Sequence, residues 1–113
     1  MRIGELAERT GLSRDTIRFY ERSKLIESIP GDSTTNAYRH YPENLVKKLK
    51  FIHQARTAGI SVAALRDILD ATQGDCDKKT AKKMIKRKLN ELKENLDHTR
   101  KVIDFLESEL KGL

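Results

Sequence analysis

The sequence predicts a mainly α fold: a small winged helix-turn-helix head followed by a long helix with an apolar seam. Three observations predict it. Two short amphipathic segments meet at a tight turn around Gly11. A polar, turn-rich stretch, Pro30 to Ala37, separates two short β-prone pieces. After Asp77 neither Gly nor Pro interrupts the chain until Gly112.

The elements follow in order. Ile3-Gly4-Glu5-Leu6-Ala7-Glu8-Arg9 reads as the first helix, and Gly11 as the turn after it. Ser13 reads as an N-cap, since its hydroxyl can accept from an orphan N–H of the next first turn. In a helix over 14–23, Ile17 and Phe19-Tyr20 turn inward, and Arg14, Arg18 and Arg22 recur every four residues on the other face. Such a guanidinium row suits a major groove or its phosphate rims; the plainer reading is a solvated charged face. Leu25-Ile26 and Tyr38-Arg39-His40-Tyr41 flank the Gly/Ser/Thr/Asn stretch as a small hairpin, the wing. Pro42 and Glu43 fit the first turn of a further helix carrying Leu45, Val46, Leu49, Ile52 and Ala55 on one face. Lys47, Lys48 and Lys50 read as solvated. Gly59 ends this helix, and Ser61 caps the next, with Ala64, Leu65, Ile68 and Leu69 inward. The expected organisation is therefore a head over 1–70, a linker over 71–77 and a long helix over 78–111.

The long helix needs a partner. Ile85, Leu89, Leu92, Leu96, Thr99, Ile103, Leu106 and Leu110 alternate spacings of four and three, the seam of a coiled coil. A helix over 78–111 spans about 50 Å, more than the head can cover. The simplest partner is a second copy, making a homodimer. Residues 78–88 hold seven basic side chains and no acidic one, whereas 91–109 hold six acidic and three basic. Antiparallel pairing sets each basic segment on the partner's acidic one. If facing residue numbers sum to 195, Leu89 meets Leu106, Leu92 meets Ile103 and Leu96 meets Thr99. Lys86 then lies near Glu107, while Lys93 near Arg100 opposes the pairing. Each exposed pair contributes only ~0.3–0.5 kcal/mol, so the charge preference is modest.

Composition narrows the function. The net charge of +6 favours a polyanionic partner. It does not locate that partner's site, since residues 1–70 and 71–113 each carry a net +3. No apolar run is long enough to span a membrane, no secretory signal is evident, and a single cysteine forms no internal disulfide. A cytoplasmic location is expected, with no membrane partner. Catalysis has no support: the sequence offers no Ser/His/Asp grouping, glycine-rich phosphate loop or paired carboxylates, so no enzyme is expected.

Ile3-Gly4-Glu5-Leu6-Ala7, Thr16-Ile17-Arg18-Phe19-Tyr20-Glu21, Tyr38-Arg39-His40-Tyr41, Leu49-Lys50-Phe51-Ile52-His53-Gln54-Ala55-Arg56 and Gly59-Ile60-Ser61 match a known pattern in order and spacing. On these motifs the chain resembles MerR-type transcriptional regulators, and within them the metal-responsive branch. The resemblance implies a homodimer, joined by an antiparallel coiled coil, on a near-palindromic operator in double-stranded promoter DNA. Such a dimer bends and untwists the promoter, reaching RNA polymerase indirectly through the shared DNA. Arg14, Thr16, Arg18 and Tyr20 are the expected contacts of the recognition helix. Tyr38 and Arg39 match the wing's phosphate contacts, and Arg56 with Ser61 the last clamp on the backbone. Ala37 stands where relatives carry Gly before the Tyr-Arg pair, and the wing is longer than theirs.

Cys76 matches the position of a thiolate ligand in metal-sensing members. Lys78 and Lys79 favour its thiolate, while Asp75 and Asp77 oppose it. In the antiparallel register the residue facing Cys76 would be number 119, past Leu113, so the family's usual partner cysteines are not expected. A divalent or monovalent transition metal at Cys76, with His53 as a borrowed ligand, stands beside the reading of an inert linker cysteine. Two rival functions follow: an effector-independent architectural or excisionase-like DNA binder, and a protein-interaction module built on the coiled coil.

Overall fold

The computed structural model describes residues 1–31, 39–73 and 77–113. Among them five helices follow in order: α1 (Ile3–Thr10), α2 (Arg14–Arg22), α3 (Leu45–Thr57), α4 (Val62–Gln73) and α5 (Lys78–Lys111). The mainly α class expected from the sequence is what the chain adopts. The chain divides into two units, Met1–Leu69 and Asp70–Leu113. The tip of the expected wing, with Tyr38, and the cysteine at position 76 lie outside the described residues.

The first unit closes over a core of Leu6, Ile17, Ile26, Leu49, Ile52 and Leu65, all fully buried. Local signals set the ends of its helices. Gly11 adopts φ 75°, and its N–H reaches the Ala7 carbonyl at 2.9 Å, so α1 stops where a left-handed residue is free to sit. Ser13 caps α2, its Oγ accepting from the Thr16 N–H at 3.1 Å. Ser61 does the same for α4, accepting from the Ala64 N–H at 3.1 Å. Between α3 and α4, Gly59 takes φ 93°; its N–H bonds the Arg56 carbonyl and the Ile60 N–H that of Ala55, each at 3.0 Å. That crossed pair is a Schellman ending.

A second Schellman ending closes α2, without glycine. Lys24 takes φ 62°, the Lys24 N–H bonds the Glu21 carbonyl, and the Leu25 N–H bonds that of Tyr20, both at 3.0 Å. It turns Leu25 and Ile26 into the core. Arg66 of α4 donates to the Ser23 carbonyl at 2.8 Å, placing a cation at the C-terminal end of α2.

The base of the wing carries an antiparallel bridge, Ile29 to His40, with N–H···O distances of 2.7 and 2.8 Å. The adjoining Tyr41 exchanges two bonds with Met1, at 2.6 and 2.9 Å. Arg9 of α1 pairs with Glu43 at 2.8 Å, which holds the Glu43 carboxyl below the usual carboxylate range and raises the Arg9 guanidinium.

Two sequence expectations need correction. Phe19 does not turn inward with Tyr20 but remains 42% exposed. Ile17 and Tyr20 are three residues apart and share the buried face, whereas Phe19 sits about 100° around the helix from Tyr20. Pro42 and Glu43 do not form the first turn of α3, which starts at Leu45. They form a turn ahead of it, in which the Leu45 N–H bonds the Pro42 carbonyl at 3.1 Å.

The second unit is dominated by α5, 34 residues without a break. Ala81 is its only buried residue. Leu89, Leu96, Ile103, Leu106 and Leu110 are 47%, 52%, 46%, 58% and 71% exposed, so the chain leaves its own heptad seam uncovered. Thr99 returns its hydroxyl to the Asn95 carbonyl at 2.8 Å, which satisfies the polar group of the one non-aliphatic residue in that seam.

Candidate nucleic-acid interface

A hollow of about 910 Å³ opens between the start of α1, the length of α2 and the base of the wing. Arg2, Arg14, Arg18, Arg22 and Arg39 line it, with Glu5, Glu21 and Tyr41. Five guanidinium groups around one concavity make a surface for polyanions, because each fork can hold two phosphate oxygens or the acceptor edge of guanine.

The folding of the first unit explains why they converge. Capping at Ser13 starts α2 so that Ile17 and Tyr20 bury, and the face opposite them carries Arg14, Arg18 and Arg22. Arg14 lies across the start of α1, where a Cβ on Gly4 would come within 2.8 Å of Nη2 of Arg14. A side chain at position 4 would push that guanidinium aside. Arg18 is 52% exposed and meets Asp15 only at 3.5 Å, a loose pair one turn away.

At the wing end a single carboxylate organises the hollow. Glu21 Oε1 accepts from the Tyr41 hydroxyl at 2.8 Å. Its Oε2 accepts from the Ser28 hydroxyl at 2.7 Å and lies 3.5 Å from Nε of Arg39. Nε of Arg39 also donates to Ser28 Oγ. Burial, and then the bond to Glu21, push the Tyr41 phenol up to about 12, so it remains a donor across the neutral range.

The remaining expected contacts stand elsewhere or are already engaged. Thr16 shares a hydroxyl bond of 2.8 Å with Ser13 and belongs to the cap. The ring of Tyr20 is 4% exposed, and its hydroxyl faces Nδ1 of His53 at 3.3 Å, so this side chain packs the core. Arg56 donates to the Ile60 carbonyl at 3.2 Å and Ser61 is occupied by the Ala64 N–H; both sit at the α3–α4 junction and neither lines the hollow. His53 meets Tyr20, and among the described residues no three His, Cys, Asp or Glu side chains gather as a metal set. Sequence reasoning missed Arg2, Gly4, Glu21 and Ser28. Arg2, just before the first amphipathic helix, carried a readable signal; the carboxylate's partners, 7 to 20 positions away, did not.

Comparison with known proteins shows the family. The model of the MerR HTH regulatory protein family matches residues 1–72, and that of MerR DNA binding matches residues 46–108. The chain belongs to the MerR family. It is a DNA-binding transcriptional regulator, and its target is double-stranded DNA. An uncharacterized HTH-type transcriptional regulator of Pseudomonas aeruginosa is 32% identical over 116 residues, covering 99% of this chain and 86% of that protein. Heavy metal-dependent transcription regulator 2 of Rhizobium meliloti is 39% identical over 69 residues, 61% of this chain but only 46% of that protein. Among solved structures, one assigned to the MerR family from Listeria monocytogenes superposes with a TM-score of 0.78 at 29% identity, covering 97% of this chain and 83% of that one. In the helix-turn-helix α2 is the second helix, the Ile29–His40 bridge is the base of the expected wing, and α5 is the long C-terminal helix. None of the described helices is long and apolar enough to cross a membrane.

Proposed function

We propose that this MerR regulator acts as a homodimer, joined by antiparallel pairing of two α5 helices, that grips a near-palindromic promoter operator and distorts it. The observation that carries the reading is the uncovered part of the α5 seam, Leu89 to Leu110, on a chain whose first unit carries an arginine-lined hollow. Two copies bury the seam and present two recognition helices at a fixed separation, as a two-fold operator requires. Arg14 and Arg18 reach base edges or groove-lining phosphates; Arg39, Tyr38, Arg56 and Ser61 serve the backbone. Polymerase responds through the shape of the shared promoter, and the working place is the cytoplasm.

The effector is the finer part of the proposal. A relative named for heavy-metal dependence supports a metal effector; a thiol-reactive agent is the alternative, and Cys76 is the residue through which either would act. The test pairs sedimentation with mobility shifts on the protein's own upstream DNA. A dimer that bends this DNA supports the reading; a monomer that binds DNA without bending it defeats it. A reporter screen over metals, peroxide and aldehydes then compares wild type with Cys76→Ser. Identical responses would leave the effector-independent, architectural reading in its place.

A further inference from the structure

We propose that Glu21 is a positioning residue for DNA binding: it clasps the base of the wing to the recognition helix through Arg39, Ser28 and Tyr41. This rests on the DNA-binding reading of the arginine hollow, and it concerns a residue of the opposite charge.

An acidic side chain inside a basic, phosphate-facing hollow should repel the ligand. Glu21 is nevertheless within the lining, one turn on from the buried Ile17, with its side chain only 23% exposed. Its two oxygens are both used. Oε1 holds Tyr41, which directly follows His40, and Oε2 holds Ser28, which directly precedes Ile29. The bridge Ile29–His40 lies between these two anchors, so one carboxylate ties both sides of the wing base to one turn of α2. Arg39 is fixed by the same group: its Nε is engaged by Ser28 and Glu21, while the residue itself lines the hollow with Arg14, Arg18 and Arg22. Among the described residues the two sides of the wing base meet in the bridge Ile29–His40, and the carboxylate adds a bond on each side of it. The clasp sets the direction of the wing base, and it consists of charge-assisted bonds that neutral substitutes weaken.

Charge and positioning predict opposite signs. If Glu21 were only an acidic neighbour of the phosphates, Glu21→Gln would remove a repulsion and tighten DNA binding. If it is the clasp, Glu21→Gln weakens binding about fivefold, and Glu21→Ala about tenfold or more. Arg39→Ala should weaken it comparably, and the double variant Glu21→Ala/Arg39→Ala should lose less than the product of the singles, since both break one unit. Hydroxyl-radical footprints should lose the flanking, wing-side protections and keep the central ones of the recognition helix. Amide exchange at Ile29 and His40 in the DNA-free protein should speed up in Glu21→Gln. That last measurement needs no DNA, so failure of the clasp and failure of the DNA reading are separable. Circular dichroism checks that each variant is folded, and the milder Glu21→Gln carries the test if Glu21→Ala is not. Tighter or unchanged binding by folded Glu21→Gln, with wing protections and amide exchange as in wild type, overturns the proposal.

Discussion

The helices α3 and α5 carry the same kind of apolar stripe and meet opposite fates. In α3, Leu45, Leu49, Ile52 and Ala55 are all buried against their own chain. In α5 the stripe is longer, yet Leu89 to Leu110 remains open to solvent. Period alone does not distinguish the two, because both repeat at three and four. What differs is the length of helix against the amount of chain left to cover it. The 13-residue α3 packs against α1, whereas the 34-residue α5 buries only Ala81. If the proposed dimer holds, one stripe serves folding and the other assembly, and variants in the two should fail differently.

The largest effect is expected from Leu96→Asp. It would bury an unpaired carboxylate near the two-fold axis, where each copy suffers it, at a cost of about 3–5 kcal/mol. Sedimentation should shift from dimer to monomer and DNA affinity should fall on the order of a hundredfold. Helix content of the first unit should persist. Leu49→Ala is the counterpart in α3: its side chain is fully buried, so truncation costs ~2–5 kcal/mol of stability by lost transfer and cavity terms. The melting loss should be the same at every protein concentration, whereas the loss from Leu96→Asp should depend on concentration. If both variants lose stability independently of concentration, the division between a folding stripe and an assembly stripe is wrong.

Next in size is the recognition helix. Arg18→Ala should cost ~1–3 kcal/mol and relax sequence preference at the base it reads. Unchanged affinity and preference would remove Arg18 from the interface. Its pairing with Asp15 is too long and too exposed for the loss to come from folding.

The clasp offers a pH-dependent comparison with the outer ion pair. Tyr41 ionises at about 12 in the folded chain, above its ordinary 10.0. A raised folded value means that its contribution to stability is complete below pH 10 and is lost as pH climbs through 12. Glu43 is shifted downward by Arg9, so that contribution is present above the ordinary carboxylate range and disappears as pH falls through the lowered value. Phenolate absorbance should show one late step near pH 12 that Tyr41→Phe removes. Its persistence in that variant would assign the late step elsewhere.

How much could be read beforehand follows from the range of each interaction. The caps at Ser13 and Ser61 and the turns at Gly11 and Gly59 are local, and they lie where the sequence placed them. The same holds for α5, expected over 78–111 and found from Lys78 to Lys111. Phe19 departs from the expectation because hydrophobicity alone does not say which side of a nine-residue helix has a neighbour to meet. Glu21 was passed over because its meaning depends on Ser28 and Tyr41, brought to it by a chain reversal that no periodicity records.

The smallest predicted effect compares two endings of one design. Both α2 and α3 close with a Schellman motif, but α3 uses Gly59 at φ 93° and α2 uses Lys24 at φ 62°. An L side chain in the left-handed region crowds its own backbone, a cost of about 1–2 kcal/mol that glycine avoids. Glycine gives back part of that gain through the greater freedom of the unfolded chain. Lys24→Gly should therefore stabilise the first unit by ~0.5–1 kcal/mol. Gly59→Ala should destabilise it by ~1 kcal/mol, and the loss would come from backbone conformation alone, because a Cβ there meets nothing within 4 Å. Thermal melts of the two variants should move in opposite directions. A stabilising Gly59→Ala, or a destabilising Lys24→Gly, would mean that contacts of the side chain outweigh φ at these ends. For Lys24 the contact to seek would be with DNA, since the residue follows the recognition helix directly, and a loss of affinity without a loss of stability would identify it.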